Sequence, residues 1–170
     1  MVLIRKAQID DLEEVLNIYN DAILKFEEEK TYQWKKGYPN KEIYLSDLKE
    51  NHLFVATVDS NVVGVMTVLT NVEPDYEKID GAWLNDSKYY AVHRVAVKKE
   101  ALGCGVWSKL IEYAINFSKL NGINNIKIDT HELNKDMKRL LERKGFVKCG
   151  VIKLKDKNFE LRDAYQYYGE

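Results

Sequence analysis

The segment from Tyr89 to Leu120 constrains the fold of this chain more than any other. Tyr89 to Val97 is an apolar, β-branched run that reads as a strand. Lys98 to Cys104 then carries Gly103, and Gly105 stands where a helix begins. From Val106 to Leu120, Val106, Leu110, Ile111, Ala114 and Phe117 recur at helical spacing, and Asn121-Gly122 closes the segment. A helix entered this way has free N–H groups and a positive dipole end at its start, which attract phosphate. Gly103 and Gly105 let the backbone take positive φ and approach an anion closely. The same two glycines also suit a plain strand-to-helix turn, so this unit fixes local structure before it fixes a ligand.

Two other phosphate loops fit poorly. A nucleotide P-loop ends in Gly-Lys-Ser/Thr, whereas Gly105 is followed by Val106 and Trp107. A dinucleotide fingerprint wants a third glycine in the helix and an acid about 20 residues later on a parallel strand. The third glycine is missing, and Asp129, 24 positions past Gly105, lies among hairpins.

The rest of the chain supplies the frame. Val2 to Arg5 reads as a strand, and Asp10 with Glu13 has capping-box spacing at a helix start. Leu12, Val15, Leu16, Tyr19, Ala22, Ile23 and Phe26 form its buried stripe, and Glu27 to Glu29 read as a solvated helix end. Thr31 to Asn40 is aromatic and irregular, with Tyr32, Trp34 and Tyr38. Lys41 to Glu50 returns to helix. Leu53 to Val58 and Val62 to Thr70 read as a hairpin joined by Asp59-Ser60-Asn61. Asn71 to Ser87 is a polar excursion carrying Tyr76 and Trp83. Ile126 to Thr130 is a strand, Asn134 to Lys144 a helix stopped by Gly145, and Phe146 to Leu154 and Ala164 to Tyr168 are the last strands. This order predicts an α/β (α+β) domain spanning residues 1–170, with a central mixed, mostly antiparallel sheet flanked by helices.

Composition narrows the function class. With 170 residues, 45% apolar and 31% charged, the chain suits one globular domain. A net charge of −1 provides no overall field for nucleic acid or an anionic membrane. No apolar run approaches the ~20 residues that span a bilayer. A cytoplasmic protein without nucleic-acid or membrane partners is therefore expected. Cys104 and Cys149 lie 45 positions apart with no ligand-spaced partner, so reduced thiols and no metal site are expected.

Several segments in order resemble the GCN5-related N-acetyltransferase family over nearly the whole length. Ile4-Arg5-Lys6-Ala7 with Asp10-Asp11-Leu12 resembles its opening strand and helix, and His93-Arg94-Val95-Ala96-Val97 its central strand. Leu102-Gly103-Cys104-Gly105-Val106-Trp107 takes the place of the signature Arg/Gln-x-x-Gly-x-Gly/Ala. Asp129-Thr130-His131, Asn134, Met137, Leu140, Leu141 and Gly145-Phe146 resemble the strand and helix that follow. Leu102 replaces the usual Arg or Gln, and Trp107 replaces a small residue. Sliding the motif back two positions puts Gly103 and Gly105 on both small sites but Glu100 at the first.

The resemblance implies acetyl-CoA as cofactor and an amine of a small molecule or peptide as acceptor, attacking the thioester directly. It places Val95, Ala96 and Val97 beside the pantetheine arm, with a backbone N–H near Val95 polarising the thioester carbonyl. Leu102, Gly103, Cys104, Gly105, Val106 and Trp107 would hold the pyrophosphate, with Asn134 and Met137 as further cofactor contacts. Asn134 also suits a helix N-cap. The family's tyrosine acid falls at Leu141. His93, Asp129 and His131 are the candidate bases, with Tyr89 and Tyr90 as alternative proton donors. Trp34, Tyr38, Tyr76 and Trp83 would frame the acceptor pocket, or else form a satellite core over the sheet edge. The family often pairs through its late strands, which leaves a homodimer open. A CoA-binding or sensing module without turnover is the second reading.

Overall fold

The computed structural model describes residues 1–31, 33–70, 73–155 and 160–169. Tyr32 and the start of the polar excursion, residues 71–72, fall outside them. The described residues form strands β1 (Leu3–Lys6), β2 (Leu53–Val58), β3 (Asn61–Thr70), β4 (Ile79–Gly81), β5 (Tyr90–Val97), β6 (Asn125–Thr130), β7 (Val147–Leu154) and β8 (Glu160–Tyr168). The helices are α1 (Leu12–Glu28), α2 (Lys41–Lys49), α3 (Val106–Leu120) and α4 (Lys135–Arg143). They divide into two compact units, Met1–Val68 with His93–Ala114, and Leu69–Val92 with Ile115–Glu170.

In the first unit β2 lies antiparallel between β1 and β3, in registers such as Arg5↔Val55 and Val55↔Val65. Asp59 and Ser60 join β2 to β3 with φ of 48° and 69°, the paired positive values that match a tight turn to the twist of its strands. The stripe read on α1 is buried: Val15, Tyr19, Ile23 and Phe26 pack with Leu53, Val55 and Val65, and Ile18 joins them. The start of α1 corrects the predicted capping box. The box lies on the 3-10 turn Ile9–Asp11 that leads into α1, where Gln8 is the N-cap and the acidic partner is Asp11. Its carboxylate accepts the Gln8 N–H at 2.7 Å and is held by both terminal nitrogens of Arg5 at 2.7 Å, because β1 brings Arg5 alongside. At Gly64 the absence of a side chain lets α3 close on the sheet. A Cβ there would stand 2.9 Å from Val106 Cγ1 and 3.2 Å from Leu110 Cδ1.

In the second unit β6 pairs antiparallel with β8, β8 with β7 and β7 with β4, in registers such as Ile128↔Tyr165, Ile152↔Arg162 and Gly81↔Gly150. The excursion between β3 and β5 therefore contains a strand that the sequence concealed. Three residues, Ile79-Asp80-Gly81, show no period of two, and only the facing β7 makes them a strand. β5 is shared: Tyr90 to Val92 belong to this unit and His93 to Val97 to the first. Its parallel ladder with β6 comprises Tyr90↔Ile126 and Ala91↔Lys127. The complete strand order is β1-β2-β3-β5-β6-β8-β7-β4, the predicted mixed, mostly antiparallel sheet.

Candidate functional site

β5 delivers the chain into a single 3-10 turn, Lys99–Ala101, then an extended Leu102, Gly103 at φ 79° and Gly105 at φ 77°. A Cβ built on either glycine would meet nothing within 4 Å, so the loop presents bare backbone. The Lys109 N–H bonds the Gly105 carbonyl at 3.1 Å. The N–H groups of Val106, Trp107 and Ser108 precede that first bond and have no partner within the helix. Beside this cradle lies a cleft of about 320 Å³, walled by Val95, Ala96, Val97, Leu102 and Trp107 and by the C-terminal half of α1. Trp107 faces this cleft, and its indole Nε1 is fully buried without a hydrogen-bond partner among the described residues. A buried donor left unmatched costs stability unless something completes it. Lys25 lies with its ammonium 5.8 Å from the Trp107 ring. The acidic α1 end is exposed, as read, and Lys25, Glu28 and Glu29 also line the cleft.

One turn back along β5, Arg94 has φ of 50°, in the left-handed region. A non-glycine residue held there in a strand costs about 1 kcal/mol or more and persists only where its surroundings enforce it. Three hydrogen bonds do so. Arg94 Nη2 and Nε donate to the two carboxylate oxygens of Asp47 at 2.7 and 2.9 Å, and Nη1 donates to the Tyr38 hydroxyl at 3.1 Å. Asp47 also accepts from the Thr67 hydroxyl at 3.0 Å. Burial acts to lower the Arg94 pKa, but Tyr38 and Asp47 outweigh it and hold the guanidinium charged. The nearby Tyr19 hydroxyl is fully buried and unpartnered, and burial pushes its pKa well up.

In the second unit the Tyr76 hydroxyl donates to Asp129 Oδ1 at 2.7 Å, and the Trp83 indole donates to the Tyr76 carbonyl at 2.9 Å. Burial, then the Asp129 charge, pushes the Tyr76 pKa well above the phenol range, so it remains a donor. Lys127 places its ammonium 4.2 Å from the Trp83 ring centre and 4.1 Å from that of Tyr89. Only 5% exposed, it has its pKa lowered by burial. The His131 pKa is lowered by burial and then by Arg162. Its Nδ1 accepts the Leu133 N–H at 3.2 Å.

The predicted residues are thus distributed over both units. Val95, Ala96, Val97, Leu102 and Trp107 meet around the cleft, with Gly103, Cys104 and Gly105 exposed on the adjoining loop. Val106 is buried beneath it. His93 is half-buried on β5. Trp34 is 5% exposed and packs edge-on against Tyr19 and Phe26, while Tyr38 is partly exposed beside Arg94. In the second unit Asp129 and Tyr76 are brought into one hydrogen bond, with Trp83 against Tyr76. Asn134 caps α4 by accepting the Met137 N–H at 3.3 Å, and Met137 is buried. Sequence reasoning missed Arg94, Asp47 and Lys127. An arginine in an apolar strand was the available signal for the first.

With this geometry in hand, the chain can be set beside known proteins. The family model described as "Acetyltransferase (GNAT) family" matches residues 12–146. The chain belongs to this family. Among solved family structures, one from Streptococcus agalactiae superposes with a TM-score of 0.89 at 25% identity, covering 99% of this chain and 96% of that one. A ribosomal-protein-alanine N-acetyltransferase from Brucella melitensis shares the fold, with a TM-score of 0.74 at 22% identity over 98% of this chain and 99% of that one. An uncharacterized N-acetyltransferase of Methanocaldococcus jannaschii is 26% identical over 152 residues, 88% of this chain, and the chain spans 62% of that relative's length. The family model runs through the cradle, the Arg94 turn and α4.

Proposed function

We propose that this protein is an acyl-CoA-dependent N-acyltransferase that moves acetyl from acetyl-CoA to a primary amine of a small molecule or peptide by direct attack. The observation that carries this reading is the open backbone at Gly103 and Gly105, at the start of α3 and beside the cleft walled by Val95 to Val97 and Trp107. Bare backbone at a helix start suits a phosphate-bearing ligand. The free N–H groups at the start of α3 would hold the pyrophosphate, and Val95 to Val97 would lie beside the pantetheine arm. Acetyl-CoA supplies, when bound, an acyl thioester that an amine can open to an amide and a free thiol. The backbone N–H of Val95 would polarise the acyl oxygen. His93, Asp129 and His131 are the candidates to take the amine's proton. Alignment of two reactants is itself worth several kcal/mol, so transfer does not depend on a tyrosine at the Leu141 position. The family match runs through both units, which supports reading residues 1–170 as one domain.

Isothermal titration with acetyl-CoA and with CoA tests the reading. Micromolar binding that a Gly105→Trp variant loses supports it. An intact protein that binds neither ligand defeats it. The second reading, a CoA-binding module without turnover, draws on Leu102 and Trp107, which stand in the cleft wall in place of the family's usual residues. Steady thiol release in a broad amine screen excludes it.

A further inference from the structure

The geometry points to Arg94 as a positioning residue for acyl transfer: clamped by Asp47 and Tyr38, it keeps β5 turned immediately before the Val95 N–H and ties the acceptor-side segment to that turn. This rests on the proposed reading of Val95 as the group that meets the acyl oxygen.

Three observations in the first unit carry it. The turn is local, because Arg94 alone within β5 has positive φ. A left-handed residue inside a strand breaks the regular alternation of peptide groups, so the peptide between Arg94 and Val95 is aimed by this residue and not by the ladder. The clamp is also more elaborate than packing requires. Arg94 and Asp47 keep only 11% and 8% of their side-chain surface exposed, and an apolar pair of similar volume commonly serves stability as well as a buried ion pair. What the ion pair adds is a fixed direction. The planar guanidinium spans both Asp47 oxygens, and its remaining nitrogen reaches Tyr38. Finally, the clamp joins separate pieces of chain. Asp47 sits on α2, its second partner Thr67 on β3, and Tyr38 in the irregular segment leading to α2. That segment is the one expected to frame the acceptor. One side chain therefore sets the Val95 peptide and the Tyr38 phenol together, so a loose clamp would misplace the oxyanion donor relative to the acceptor without touching the phosphate cradle.

The test uses a paired Asp47→Leu, Arg94→Met variant, which removes both charges, and Arg94→Lys, which keeps a charge beside Asp47 but cannot span both oxygens and Tyr38. CoA binding is measured by calorimetry, the Val95 amide is followed by NMR during CoA titration, and thiol release from acetyl-CoA with water as acceptor gives kcat and KM. The expected result for either folded variant is CoA affinity within about threefold of the intact protein, a displaced Val95 amide signal with a weakened response to CoA, and a kcat reduced about tenfold or more at unchanged KM. If the paired variant does not fold, Arg94→Lys decides. A folded variant with the intact protein's kcat and Val95 response overturns the inference. An intact protein that fails to bind CoA removes the proposed function itself, and this shows before any variant is made.

Discussion

Arg94 in the first unit and Lys127 in the second are both cations withdrawn from water, and the chain accommodates them in opposite ways. Arg94 meets a carboxylate in a two-pronged ion pair and a phenol besides, and its pKa is held up. Lys127 meets the faces of Trp83 and Tyr89 with no ion pair among the described residues, and burial draws its pKa down. An aromatic face attracts a cation but cannot replace the water it lost, whereas a carboxylate and a hydroxyl can. The difference also separates direction from adhesion. The Arg94 clamp fixes a geometry, while the Lys127 ammonium is shared between two rings.

Removing Asp47 should show the contrast most strongly. Asp47→Ala leaves Arg94 buried without its counter-charge and should cost about 3–5 kcal/mol in denaturant unfolding. A loss under about 1 kcal/mol would mean that water reaches the guanidinium and that the clamp is not closed. Tyr76→Phe comes next. It strips Asp129 of its buried donor and should cost about 1–2 kcal/mol, read from the same unfolding curve. Lys127→Met should change stability by less than about 1 kcal/mol, since the lost cation–π attraction and the relieved burial of charge oppose each other. A loss as large as that of Asp47→Ala would erase the distinction between the two sites. The smallest effect is a slope. Because the folded Lys127 has a pKa below 10.5, the unfolded chain binds its proton more tightly, and stability from this group rises with pH between the two values. Below the folded value the burial penalty is present in full, and near pH 10.5 it is relieved. Lys127→Met should flatten this rise in melting temperature on the alkaline side. Asp47→Ala should leave it in place, because Arg94 stays protonated throughout.

Much of the frame was legible because it depends on periodicity. The α1 stripe, the β2–β3 hairpin, the glycine turn into α3 and the Asn134 cap all follow from residue types at fixed spacing, and each is present. β4 was hidden because three residues carry no period, and the capping box formed between Gln8 and Asp11, where Arg5 arrives from β1 to hold the carboxylate. The Glu27–Glu29 run gave no hint that its last two members would line a cleft.

By itself, then, the sequence determined the element order, the family resemblance and the glycine-bearing loop into α3, since these are local properties of side-chain volume, polarity and backbone freedom. Tertiary structure alone decided that Trp107 faces the cleft, that Arg94 finds Asp47 across 47 positions of chain, and that Tyr76 closes on Asp129. Those contacts join residues far apart in sequence, and the energy that selects them, a buried charge or donor completed by one partner, exists only once folding has excluded water from both.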